Sequence, residues 1–160
     1  MIDISVDFRP ALHAVNSMVK SLDRELRNMR APLERSAYEI LAPSVQENFI
    51  AGGRPSWQPL SEATMLQREE LGFDPDQPLI RTGALERATS QRSRWTITQT
   101  EARMGKLPSS VAYGYLHQTG TDFMPARPFG VIQDDDARDT ERVFGRWVDR
   151  TMKTSLAGWR

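Results

Sequence analysis

His117 and the run Asp134-Asp135-Asp136 are the residues whose types could carry chemistry, because an imidazole with carboxylates is the material of a divalent-metal site or of acid–base catalysis. Their spacing argues against both. The other histidine, His13, falls on or beside the first expected helix, no His-x-x-x-His pair occurs, and three consecutive aspartates on a helix point in different directions. A solvent-facing helix start, where negative charge complements the helix dipole, accounts for the acidic run. His117 is then read as a hydrogen-bonded structural residue. The chain has no cysteine, which excludes disulfides and thiolate metal sites and fits a reducing compartment. The expectation is a protein with no catalytic, metal-binding or cofactor-binding residues, and not an enzyme.

Phosphate neutralisation is the second chemistry to weigh. Between Arg81 and Lys106 the basic residues Arg81, Arg87, Arg92, Arg94, Arg103 and Lys106 outnumber Glu86 and Glu101, and several cations on one surface are what a polynucleotide requires. No dinucleotide fingerprint or phosphate-loop pattern accompanies them. Over the whole chain 21 basic residues balance 21 acidic ones, so no overall field recruits nucleic acid or an anionic membrane. A solvated face explains these cations; a cytosolic nucleic-acid-binding or nuclease-like accessory protein is the alternative function, with DNA passing through a positively lined channel as a weaker form of it.

The elements that position these residues follow from periodicity. At 160 residues the chain suits a single domain, 1–160. Its hydrophobic fraction of 39% is low enough that a partner chain is expected to complete some apolar surface. Ile2, Ile4, Val6 and Phe8 alternate as in a half-buried strand, and neither a signal peptide nor a membrane span is expected. Leu12, Val15, Val19, Leu22, Leu26 and Met29 form a helical seam, to be packed on the next helix of the chain or offered to a neighbouring subunit. A second helix opens at Pro32 and carries Leu33, Ala37, Ile40, Leu41, Val45 and Phe49, with a kink or break near Leu41 because of Pro43. Ser61 caps a short helix to Leu71, the turn-rich stretch 73–78 is expected to be mobile, and Thr82 is expected to cap another brief helix.

Trp95 and Ile97, Ala102 and Met104, then Val111 and Tyr113 alternate with polar residues, which predicts a three-stranded antiparallel meander. The stretch 111–132 is predicted as strand, a turn of helix, loop and strand. In the closing helix Val143, Phe144, Trp147, Val148 and Met152 make an apolar arc, and Arg138, Arg142, Arg146 and Arg150 repeat every fourth residue as a solvated face or as one that invites an acidic partner. The fold class is α+β: an N-terminal strand and helices, a small antiparallel sheet and a C-terminal helix.

Four motifs in order, Gly53-Arg54-Pro55-Ser56-Trp57-Gln58-Pro59-Leu60-Ser61, Leu79-Ile80-Arg81-Thr82-Gly83-Ala84-Leu85, His117-Gln118-Thr119-Gly120 and Met124-Pro125-Ala126-Arg127-Pro128-Phe129, resemble the bacteriophage virion morphogenesis, or tail completion, family. They span roughly residues 49–132. The resemblance implies a structural protein of a tailed phage without a catalytic residue, found in the virion and in host cytoplasm during assembly. It also implies that the protein finishes the tail or neck so that heads and tails join. Implied partners are copies of itself in a ring, often six-fold, and other neck, connector or tail-tube proteins. His117, Gln118, Met124, Pro125, Arg127, Pro128, Phe129, Trp57 and the arginines at 138, 142, 146 and 150 are the candidate contact residues. Pro125 and Pro128 hold Arg127 in an extended, pre-ordered segment, where it either pairs with a partner or staples the loop to its own domain.

Overall fold

The computed structural model describes residues 9–157, and the strand expected at residues 2–8 lies outside the described residues. The described elements, in order, are helices α1 (Arg9–Arg27), α2 (Arg30–Ser36), α3 (Ala42–Ile50), α4 (Glu62–Glu70) and α5 (Ala84–Ser90), strands β1 (Trp95–Ile97) and β2 (Ala102–Met104), and helices α6 (Gly114–Thr119) and α7 (Asp134–Ala157). The class is α+β, as expected, with α7 closing the chain. Among the described residues no helix is long and apolar enough to cross a membrane.

The first seam divides along its length. Leu22 and Leu26 are half-buried and α1 lies against α7, whereas Leu12, Val15 and Val19 are exposed. The seam therefore finds its in-chain partner in the closing helix and not in the next one.

Pro43 does not break the second helix. It lacks the N–H that would bond the Glu39 carbonyl, and its ring crowds that turn. The chain widens into a π-turn over Ala37–Leu41, with the Ala42 N–H reaching back five residues to the Ala37 carbonyl, and continues directly as α3. Wide turns of this kind are one of the few routes by which a helix absorbs such a conflict.

Ser61 caps α4 as expected, its Oγ accepting the Thr64 N–H at 3.3 Å. Gly72, at φ +73°, follows the end of the helix. Thr82 does not cap α5: Gly83 occupies that position in the left-handed conformation, with no side-chain cap. Between the two helices the Arg68 guanidinium gathers the chain, its Nη1 donating to the carbonyls of Gln77 at 2.7 Å, Asp74 at 3.3 Å and Ile80 at 3.4 Å.

The meander has two strands, not three. β1 and β2 pair antiparallel with Trp95 opposite Met104 and Ile97 opposite Ala102. Val111 and Tyr113 instead belong to a 3₁₀ turn (Ser109–Val111) and the residue before α6. Gly114 lets this helix close onto its neighbours, since a Cβ there would stand 2.6 Å from the Leu85 and Leu107 side chains. Nor does a regular strand form at the end of the 111–132 stretch. The carbonyls of Phe129 and Val131 that a ladder would use accept hydrogen bonds from the Asn48 side chain, at 2.8 and 3.3 Å. Gly120, at φ +77°, ends α6 as a C-cap, its N–H on the Leu116 carbonyl at 2.8 Å.

The core gathers Val45 and Phe49 of α3, Trp57, Leu85 and Ala88 of α5, Val111 and Phe129. Phe49 is its hub, stacked on Phe129 at 5.4 Å between centroids and meeting Trp57 edge-on at 5.8 Å. Such aromatic pairs contribute about 0.5–1.5 kcal/mol each beyond the area they bury.

Candidate functional site

The motifs separated in sequence interlock in space. The Arg127 N–H donates to the His117 carbonyl at 2.7 Å, and its guanidinium donates through Nε to the Gln58 carbonyl and through Nη2 to the Pro59 carbonyl, both at 2.9 Å. Gln118 Oε1 accepts from the N–H groups of Phe129 at 3.1 Å and Gly130 at 3.0 Å. Trp57 Nε1 donates to the Pro128 carbonyl at 3.0 Å. Arg127 is only 5% exposed, so of its two possible roles the in-chain staple is the one it performs here.

Three of the proposed contact residues, Trp57, Arg127 and Phe129, are thus turned inwards and form core and staple, leaving little surface for a partner. The physical reason is their size: two aromatic rings and a forked cation give the greatest return when packed and fully hydrogen-bonded. His117, Gln118, Met124 and Pro128 are half-buried, and Pro125 is exposed. The exposed apolar groups in this region are residues the sequence reading passed over: Phe123 at 98%, Tyr115 at 68%, and Leu116. Phe123 stands on a tight loop closed by a bridge between Thr121 and Met124, whose N–H and carbonyl groups exchange bonds of 2.8 and 3.3 Å.

A polar network behind the core was also missed. Asn48, fully buried, holds Phe129 and Val131 with its amide nitrogen and accepts Arg54 Nε at 2.8 Å with its oxygen. Arg54 Nη2 reaches the Ser44 carbonyl and hydroxyl, both at 2.8 Å, and that hydroxyl donates to Asp136 Oδ2 at 2.5 Å. Asp136 also accepts the Gln133 N–H at 2.9 Å, the half of a capping box that closes a helix start. Asp136 is therefore buried, against the expectation of a wholly solvent-facing acidic run. A polar pair at helical spacing, Ser44 and Asn48, beside the apolar Val45 and Phe49 was the available signal.

On the other side of Arg127 lies a cleft of about 360 Å³ lined by Arg68, Arg81, Thr82, Tyr113, His117 and Arg127 with Leu60, Leu79 and Ala84. Burial, then the charges of Arg127 and Arg68, push the His117 imidazole below its ordinary pKa. Burial likewise lowers Arg68 and Arg127, Arg68 then feeling Arg81 and Arg127 feeling Arg68. His117 Nδ1 is buried without a hydrogen-bond partner among the described residues. Leu79, in the wall, adopts a left-handed φ of +65°, a conformation that costs a side-chain-bearing residue about 1–2 kcal/mol and recurs at functional sites.

The remaining candidates lie apart from this region. Along α7 Arg138 pairs with Asp135, and Arg142 with Asp139 at 2.6 Å, so the stripe is partly neutralised by its own helix; Arg146 and Arg150 are exposed. Of the cations weighed for nucleic acid, Arg92 lies over the Tyr38 ring and Arg103 pairs with Glu101 at 2.6 Å. Among the described residues no three His, Asp or Glu side chains converge as a metal site would need. Compared with protein families, with curated proteins and with solved structures, the chain matches none.

Proposed function

We propose that the chain is a structural subunit of a tailed bacteriophage virion, one that completes the tail or neck and supports head–tail joining by assembling with copies of itself in a ring. The residues and order of the four motifs support this reading, and the observation that carries it is the exposure of the apolar side chains Phe123, Tyr115 and Leu116. A phenylalanine 98% exposed on a closed loop forgoes about 1.5–3 kcal/mol that burial would provide, and exposed apolar groups gathered in one stretch mark contact surfaces. The exposed Leu12, Val15 and Val19 of α1 offer a second apolar strip. Subunits that contact one another through two different surfaces form closed rings when the rotation closes.

Electron microscopy of particles made without this protein tests the reading. Unjoined heads with unfinished tails are expected; normal particles would overturn it. Light scattering on the purified chain supplies the second measurement, with concentration-dependent association expected.

A further inference from the structure

We propose that the cleft between α4, α5 and α6 binds a small phosphate-type oxyanion, held by the guanidinium groups of Arg68, Arg81 and Arg127 and by the imidazole of His117. Occupancy of this cleft and assembly of the chain are separate properties, and either can fail without the other.

The cleft carries charge that no ion pair among the described residues cancels. The partners of Arg68 and Arg127 are backbone carbonyls, and Arg81 lies over the Phe73 ring at 4.8 Å. Carbonyls and a ring face satisfy donors but bring no net negative charge. None of the ion pairs among the described residues includes these three arginines. The one carboxylate felt there, Asp74, acts on Arg68 more weakly than burial and Arg81 do. Like charges this close lower one another's pKa, and a bound anion removes that penalty.

Geometry narrows the class of anion. A polynucleotide needs cations spread along a surface, whereas these converge on one cleft of about 360 Å³, within the size range of small-ligand sites. Arg127 spends Nε and Nη2 on the chain, and Arg68 spends Nη1. Their remaining N–H groups, those of Arg81 and the Thr82 hydroxyl are available to a ligand. His117 lines the same cleft and adds a fourth cation when it carries a proton. Three cations with this many donors exceed what one carboxylate can accept; a phosphate has the oxygens and the second charge to match them. The wall at Leu79, held at its strained φ, keeps the Gln77 and Ile80 carbonyls on Arg68 and so fixes where that guanidinium sits.

Proton uptake follows. The charged groups facing His117 are Arg127 and Arg68, with Arg81 in the same cleft. Arg127 and Arg68 oppose its protonation, and a bound dianion reverses that balance.

The test uses the full chain at constant ionic strength, titrated by calorimetry with inorganic phosphate, a simple phosphomonoester, succinate and sodium chloride. Saturable binding of phosphate or the monoester is expected, and it should raise the pKa of His117 in imidazole NMR. Tighter binding of the monoester assigns an organic phosphate as ligand, and equal binding assigns free phosphate. Arg81→Ala, at an exposed position, should weaken phosphate binding by about tenfold, the loss typical of one charge-assisted contact. The His117 shift needs no variant, so the proposal stays testable if that substitution unfolds the chain. Phosphate that binds no better than chloride, an unmoved His117 pKa, or succinate binding as tightly as phosphate would overturn it. So would retention of an oligonucleotide without binding of phosphate.

Discussion

Arg54, in the turn after α3, and Asp136, in the first turn of α7, are joined through one hydroxyl: Ser44 Oγ accepts from Arg54 Nη2 at 2.8 Å and donates to Asp136 Oδ2 at 2.5 Å. A half-buried cation and a buried anion are thus coupled through a neutral relay that also ties α3 to the start of α7. Ser44→Ala should destabilise the chain by about 1–3 kcal/mol, because it removes one bond from the buried Asp136 carboxylate and one from Arg54. In urea unfolding, a double-mutant cycle with Asn48→Ala should show coupling of at least about 0.5 kcal/mol, as members of one network do. Strict additivity would mean that the two residues act separately.

Asn48 is the more exposed to loss of partners, though not to solvent. Asn48→Leu keeps the branched shape of the side chain but leaves the Phe129 carbonyl and Arg54 Nε without their bonds. A cost of about 2–4 kcal/mol is expected from one buried and one half-buried group left unsatisfied. An unchanged urea midpoint would refute the role assigned to it.

Arg127→Lys keeps the charge and loses the fork that spans Gln58 and Pro59. Because only Arg presents paired donors in fixed geometry, the substitution should cost about 1–3 kcal/mol, close to that of Arg127→Ala, measured as thermal unfolding. An assembly defect in either variant is then to be judged against its lost stability.

Neighbouring glycines should behave differently. At Gly53, φ +100°, a Cβ would stand 2.5 Å from Trp57 Cδ1 and 2.7 Å from the Pro55 carbonyl oxygen. At Gly52, φ +70°, it would meet nothing within 4 Å. Gly52→Ala should cost about 1–2 kcal/mol for its left-handed backbone alone. Gly53→Ala adds the clash with a core ring, and its melting temperature should fall clearly further.

The pH dependence of stability follows from His117. Its folded pKa lies below 6.5, so between that value and 6.5 the unfolded chain binds the proton more readily. Stability contributed by the neutral imidazole is present above pH 6.5, is lost as pH falls through the folded pKa, and levels off below it. His117→Gln should flatten this part of the profile, read as urea midpoints across the acid range.

Phe123→Ser should leave the unfolding free energy from urea titration within about 0.5 kcal/mol of wild type, as exposed substitutions do, while reducing self-association and the yield of joined particles. Intact assembly by this variant would remove Phe123 from the contact surface.

Much of the helical scaffold was legible because its signals are local. Ser61 before α4, Gly120 after α6 and the apolar arc of α7 all act within a turn or two of chain. Beyond the third strand, whose pattern is ambiguous locally, the main failures share one cause, the capture of a local pattern by a distant side chain. Val111 and Tyr113 alternate like a strand, yet a spacing of two also fits a turn passing into a helix. Phe129 to Ile132 has strand-forming residues, but Asn48, some eighty positions earlier, takes its carbonyls. Asp136 looked like a solvated helix start because nothing near it in sequence announces Ser44 or Arg54. Arg68, whose guanidinium organises a loop and lines the cleft, is one arginine among many until the loop folds back upon it.

The wide turn at Ala37–Leu41 acts as a phase shifter in a continuous rod. Each residue of an α-helix rotates the next by about 100°, so one residue more per turn redirects every side chain downstream. Before the turn the rod packs on α7 through α2; after it, on α5 through α3. One helix thereby serves two packing fronts, and Ser44 and Asn48 arrive aimed at Asp136 and Phe129. Deleting a single residue from 37–41 would swing both away by about 100°, a loss of register that no side-chain substitution could repair.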